Sequence, residues 1–325
     1  MPSFEETVNS LRHQSGEDKQ PLPRVTLGAI NRDGSFHYAK AFGEDSTDTP
    51  NTDAVHWIAS CTKFLTTVAV MQHMLTHSSG MAYVFMHPLL ARYQELQGER
   101  PLIQQTVKES YHPFLLFEPG ERWLYSPSVD WAGVAVERVT SMKLGDYMKH
   151  HIFDIVSAKD VTFHLDQRED LRARKAKNWE RVGQRLEEER SPVWPDPIAE
   201  DQGILTGKLL RPETIKLMFQ PHLGSNSGLD KPDEYPLPVQ NAIWNAVPHD
   251  VPVSFGLGGL VNTAAVPEQR GLHSLTWSGI PNCYWWIDIN NGVAGIYLSQ
   301  LVPMGDQKSV ELLTEFEKFV YSSLN

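Results

Sequence analysis

The sequence predicts an α+β fold in which one antiparallel sheet is assembled from both ends of the chain, with helices filling the middle. Three observations carry this. Apolar runs bounded by turn residues cluster near the two termini, helical periodicity dominates between them, and an amphipathic segment follows the last run. The expectation is one domain over residues 1–325, with a sheet part at about 20–60 and 250–325 and a helical insertion at about 61–249.

Residues 4–13 read as a short amphipathic helix, which the polar, Pro-containing stretch 16–23 ends. Residues 25–30 and 36–42 read as two strands joined by Asn31-Arg32-Asp33-Gly34, where an Asp-Gly pair between apolar runs signals a hairpin. Near the other end, residues 273–277, 283–288 and 293–301 form three more runs, the last two joined by Ile289-Asn290-Asn291-Gly292. Residues 309–322 then place Val310, Leu313, Phe316 and Val320 on one helical face. Five strands are therefore expected. Helix candidates in between are 62–74, 130–139, 145–152 and 212–219, and the mixed-charge stretch 166–190 reads as a solvated helix or loop.

Composition narrows the function. With 29 basic against 40 acidic residues the net charge is −11, which argues against nucleic acid or an anionic membrane as partner. Two cysteines, Cys61 and Cys283, exclude a disulfide framework. No apolar run reaches the roughly 18 residues of a membrane span, and the acidic N-terminal segment has no apolar stretch. A cytoplasmic protein is the expectation.

Ser60-Cys61-Thr62-Lys63 is the chain's one Ser-x-x-Lys. Residues His56-Trp57-Ile58-Ala59 precede it, and Phe64, Val68, Met71 and Leu75 continue at helical spacing. Ser60 is thus expected at the start of a buried helix, with Lys63 on the same face. Desolvation and the positive helix end predict that Lys63 gives up its proton readily and acts as a base toward Ser60. An N-cap serine followed by a surface lysine is the plainer reading of the tetrapeptide. A second feature is Glu118-Pro119-Gly120 leading into Tyr125-Ser126-Pro127-Ser128 before a helix; a third is Trp277-Ser278-Gly279-Ile280, a strand ending in a glycine.

Taken in this order, the three resemble Ser-x-x-Lys, Tyr-x-Asn and Lys-Thr-Gly of the serine β-lactamase and penicillin-binding-protein superfamily. Thr76-His77-Ser78-Ser79-Gly80-Met81, Glu118-Pro119-Gly120 and Phe255-Gly256-Leu257-Gly258-Gly259 resemble its class C-like branch, which includes fungal esterases and acyltransferases. The resemblance implies a β-lactamase-like fold, with an antiparallel sheet flanked by helices and an inserted helical subdomain. It implies Ser60 as nucleophile, Lys63 and Tyr125 as the proton-transfer pair, the N–H groups of Ser60 and Ile280 as the oxyanion hole, and Trp277, Ser278 and Gly279 against the substrate. The implied reaction is acyl transfer through an acyl-serine, in a fungal secondary-metabolite acyltransferase or a carboxylesterase. The partners would be a small-molecule ester or thioester donor, free or on a carrier protein, and an alcohol acceptor; no cofactor is implied.

Departures from the family pattern matter. Tyr125 is followed by Ser126-Pro127 rather than x-Asn, and Lys-Thr-Gly has become Trp-Ser-Gly. The latter removes the cation that holds a β-lactam carboxylate and favours a neutral, apolar substrate. The chain also looks shortened at Gln72-His73-Met74-Leu75 and at Asp201-Gln202-Gly203-Ile204, so a catalytically inactive relative or a truncated gene product is the rival reading. His150-His151 has no companion at metal-ligand spacing, His77 reads as a residue binding backbone near a turn, and Cys61 as a packed side chain. Neither Gly-x-Ser-x-Gly nor Gly-x-Gly-x-x-Gly occurs.

Overall fold

Strand β1 (Val25–Asn31) turns back into β2 (His37–Phe42) through a turn in which Gly34 takes a left-handed φ of +76°. The computed structural model describes residues 3–12, 21–43, 52–64, 75–98, 106–111, 114–155, 157–188 and 216–324. A mid-chain hairpin, β3 (Trp179–Val182) and β4 (Arg185–Glu188), comes next. The C-terminal third supplies β5 (Val253–Phe255), β6 (Leu260–Asn262), β7 (Leu275–Gly279), β8 (Cys283–Asp288), β9 (Val293–Leu298) and β10 (Leu301–Val302). The main sheet is antiparallel, in the order β2-β1-β9-β8-β7-β6-β5, so the N-terminal hairpin adds to the C-terminal meander along β9. It has seven strands rather than five. The extra two, β5 and β6, are three residues each and too short to show an alternation in sequence.

The sheet separates two cores. Alternation along β8 sends Tyr284 and Trp286 to one face, and Cys283 and Trp285 to the other. On the first face lie α1 (Phe4–Arg12) and the C-terminal helix α4 (Gln307–Ser322), whose Leu312, Leu313, Phe316 and Val320 pack on Leu27, Trp286 and Tyr297. Phe4 stacks on Phe319 at 4.3 Å, which ties the two ends of the chain together. Asp306 caps α4 by accepting from the Ser309 N–H at 2.9 Å. The opposite face carries Phe255, Leu275 and Trp277 against Trp123 and α3 (Leu237–Trp244), and the site lies there.

Among the described residues between the terminal parts, most regular elements are helices, with α2 at Ser128–Thr140 and a helical run continuing from Leu144–Met148 into Lys149–Phe153. The exposed His150 and His151 sit on that last turn. The stretch 166–190 departs from expectation within its described part, because residues 179–188 form the β3–β4 hairpin and β3 pairs in parallel with β10. Its charges are not all solvated: the Arg181 guanidinium bonds the Asp306 carboxylate, both buried, and fixes the hairpin to the α4 cap. Residues 65–74 of the expected helix 62–74, residues 212–215 of the expected helix 212–219, and residues 72–74 and 201–204 of the two shortened junctions lie outside the described residues, while residues 216–218 are helical.

Gly295 shows how tightly the sheet is filled. A Cβ there would meet the Trp286 ring at 2.1 Å, so the indole lies directly over the glycine of the neighbouring strand. Gly295→Ala is expected to destabilise the fold by about 1–3 kcal/mol through overpacking, with a shift in tryptophan emission. Urea unfolding followed by fluorescence checks this.

Candidate active site

Ser60 and Lys63 lie on one 3₁₀ turn, Ala59–Phe64. Ala59 has a left-handed φ of +40°, the bend from which this turn starts. The turn is fixed from behind: the Cys61 N–H donates to the Ile58 carbonyl at 3.0 Å, and the Cys61 thiol to the Cys283 carbonyl at 3.2 Å. Burial pushes the Cys61 thiol well up and the Cys283 thiol up to about 12, so both stay protonated packing groups. Gly279, at the end of β7, lets the sheet reach the turn. A Cβ there would lie 2.3 Å from the Ile58 carbonyl oxygen. The close approach expected of this glycine is therefore to the nucleophile segment, and Gly279 is absent from the residues lining the cleft.

Tyr125 arrives on a segment held by main-chain bonds to the Thr-His-Ser-Ser-Gly stretch. The Leu124 N–H donates to the His77 carbonyl, the Gly120 N–H to Ser78, the Leu116 N–H to Gly80, and the Tyr83 N–H to Tyr125. Gly80, at φ +90°, sits so close to Phe117 that a Cβ would lie 2.3 Å from its carbonyl oxygen. These contacts bring the Tyr125 hydroxyl to 2.7 Å from Ser60 Oγ, to which it donates. His77 accepts from the Ser126 N–H at 3.3 Å, as a residue binding backbone near a turn should. Burial and the Lys63 charge lower its pKa to about 3, so its imidazole is neutral.

Lys63 corrects the sequence expectation. Burial works to strip its proton, but the Asp130 carboxylate and the Tyr125 hydroxyl outweigh it, and its pKa is raised rather than lowered. Its Nζ donates to Asp130 Oδ1 at 2.9 Å, with Lys63 only 5% exposed. Tyr125 also titrates above its ordinary value, because burial outweighs the Lys63 charge and the hydrogen bond with Ser60. Resting Lys63 is thus an ammonium and resting Tyr125 a phenol.

Trp277 is 2% exposed and enclosed by His77, Tyr125, Phe255 and Trp123, with ring centroids 5.2–6.4 Å away. Rather than standing in the cleft as a free platform, its indole forms part of the wall and packs against the Tyr125 ring. Ser278 lines the cleft while its hydroxyl donates to the Ala242 carbonyl at 2.6 Å, and Ile280 lies beyond it at the strand end. The cleft has an empty volume of about 890 Å³ including its open mouth, and Ser60, Lys63, Tyr125, Trp277, Ser278 and Ile280 all line it. Among the lining residues that sequence reasoning missed, Asp130 and Tyr83 are the two that connect to Lys63. The first is visible in the sequence only as a residue of a helical first turn and the second not at all, because neither lies near Lys63 along the chain.

A Ser-x-x-Lys turn, a tyrosine and a strand end meeting between a sheet and a helical region define a fold of the β-lactamase type. Residues 71–314 match the sequence profile of the family described as Beta-lactamase, and the chain belongs to that family. It is 30% identical over 281 residues to the ML-236A carboxylate methylbutanoyltransferase of Penicillium citrinum, covering 78% of this chain and 66% of that protein. The chain thus spans about two thirds of that relative's length. With the lovastatin esterase of Penicillium rubens it shares 27% identity, covering 95% of this chain and 96% of that protein. That alignment runs over 399 residues, more than the 325 of this chain, so the esterase carries stretches without a counterpart here. The unliganded simvastatin synthase of Aspergillus terreus superposes with a TM-score of 0.82 at 26% identity, covering 99% of both chains.

Because the Ser60 turn rests on β7 through Gly279, Gly279→Ala should displace the serine more than it unfolds the protein. Labelling by a fluorophosphonate should slow by about tenfold or more, since a displacement of about 1 Å at a reacting group can cost a hundredfold. The comparison is labelling rate against melting temperature for the two proteins.

Proposed function

We propose that the protein is a serine-dependent acyltransferase that passes a neutral acyl group from an ester or thioester to an alcohol through an acyl-Ser60 intermediate. The observation that carries this is the 2.7 Å contact between the Tyr125 hydroxyl and Ser60 Oγ inside the cleft. With Lys63 held as an ammonium, Tyr125 is the base that faces Ser60. Loss of one proton from the Lys63–Tyr125 pair leaves a phenolate stabilised by the lysine charge. The phenolate takes the Ser60 proton as Oγ bonds to the acyl carbon, then returns it to the departing alcohol or thiol. The acceptor alcohol reverses these steps. The N–H groups of Ser60 and Ile280 would hold the oxyanion, Ser60 because a first-turn N–H has no partner within its own helix.

Substrate choice follows from the walls. Among the described residues lining the cleft, Lys63 is the one cation, and Asp130 engages it. A substrate carboxylate buried there would lose several kcal/mol of solvation without a partner, while an apolar acyl chain gains roughly 25 cal/mol per Å² buried. The methylbutanoyl group named for the Penicillium citrinum relative is of the favoured kind. Hydrolysis by water through the same residues is the second reading, favoured by the match to an esterase over 95% of this chain. A carrier protein is a fitting donor for a thioester, and two free buried cysteines suit a reducing, cytoplasmic compartment. Among the described residues no helix is long and apolar enough to cross a membrane.

Ser60→Ala should abolish acylation, and Lys63→Ala and Tyr125→Phe should each slow it by about a hundredfold or more, measured as the burst with a nitrophenyl ester. Wild-type turnover in either of the last two would leave that residue only a structural part. The unmodified protein should also turn over a nitrophenyl butyrate far faster than a chromogenic cephalosporin; a preference for the cephalosporin would contradict the reading of Trp277.

A further inference from the structure

The Lys63 ammonium is one member of a buried trio. While Asp130 Oδ1 accepts from Lys63 at 2.9 Å, Oδ2 of the same carboxylate accepts from the Tyr83 hydroxyl at 2.5 Å. Asp130 lies in the first turn of α2, and Tyr83 on the segment bonded to Tyr125, so the carboxylate joins three separate pieces of the site. The Tyr83 ring lies 4.7 Å from that of Tyr125, and Lys63 Nζ lies 5.7 Å from the Tyr83 centroid. All of them line the cleft.

We propose that Asp130, held by Tyr83, is a positioning residue that keeps Lys63 an ammonium beside Tyr125 and so leaves Tyr125 to exchange the proton with Ser60. This rests on the acyl-serine reading above and adds what decides which member of the Lys63–Tyr125 pair acts as base. A lysine this deeply buried without a carboxylate would give up its proton, because desolvation disfavours the charged form. Among the described residues, the titratable groups facing Lys63 include Asp130 from α2, Tyr125 and Tyr83 from the two bonded segments, and the neutral His77, with Tyr111 behind Tyr83. Asp130 is therefore the one anion on Lys63 among them while Tyr125 is a phenol.

The sign of the effect is fixed. The Asp130 charge raises the pKa of both Lys63 and Tyr125. Acylation needs one proton lost from that pair, so its rate climbs with pH through the apparent pKa of the pair. Asp130→Asn removes the charge, and the rising limb should move to lower pH by about one unit or more. The plateau rate should fall by about tenfold or more, because Lys63 loses its anchor. Tyr83→Phe keeps the charge but removes a hydrogen bond that tempers it, so its limb should move to higher pH.

The experiment is the fluorophosphonate labelling rate as a function of pH for the intact protein, Asp130→Asn and Tyr83→Phe, with the labelled peptide identified by mass and folding checked by circular dichroism. Opposite displacements of the limb support the proposal. Limbs that coincide with the unmodified protein's, with only less active material, make the trio a structural pairing and overturn it. If Asp130→Asn does not fold, Tyr83→Phe decides, and a limb at the wild-type pH overturns the proposal. Labelling of the unmodified protein elsewhere than Ser60 overturns the underlying acyl-serine reading as well, which separates the two failures.

Discussion

One contact sustains the site, the charge pair between Lys63 and Asp130. Neither group belongs in a protein interior alone. An ammonium 5% exposed without its carboxylate is an uncompensated buried charge, and breaking such a pair typically costs about 3–5 kcal/mol. Satisfying it forces the turn that carries Ser60 to meet α2, 67 positions further along the chain. With that meeting fixed, the second oxygen of Asp130 takes Tyr83, and Tyr83 lies on the segment that aligns Tyr125.

The sheet contributes through close approach rather than charge. β7 can lie against Ile58 because Gly279 has no side chain, and the same strand places Trp277 beneath Tyr125. An indole at this position fills the core formed with Phe255 and Trp123 and packs against the tyrosine ring, which a lysine cannot do without burying a charge. In the proposed mechanism this leaves Lys63 as the one cation among the described residues lining the cleft, which is why neutral substrates are proposed.

The elements legible in the sequence were those with strong local signatures. β8 falls at Cys283–Asp288 as its apolar run implies, and α4 follows from the spacing of Leu313, Phe316 and Val320. Ser60, Lys63 and Tyr125 were legible because short motifs mark them, and the structure brings all three to one cleft. What sequence could not carry is long-range. The hairpin at residues 179–188 looked solvated because its inward residues include Arg181, whose partner Asp306 is far along the chain. The protonation of Lys63 was misjudged for the same reason: desolvation and helix position are readable locally, but the opposing carboxylate is not. Trp277 stands where the resemblance leads one to expect a lysine, while its enclosure by four rings needed the packed structure.

The central claim is that an acyl group rests on Ser60 and leaves to an alcohol. The most direct measurement is intact mass and peptide mapping after exposure to a short branched acyl thioester, repeated with an alcohol acceptor added. The account predicts one acyl increment on the peptide containing Ser60, discharged faster by the alcohol than by water alone. No increment, or one carried by a different residue, would contradict it.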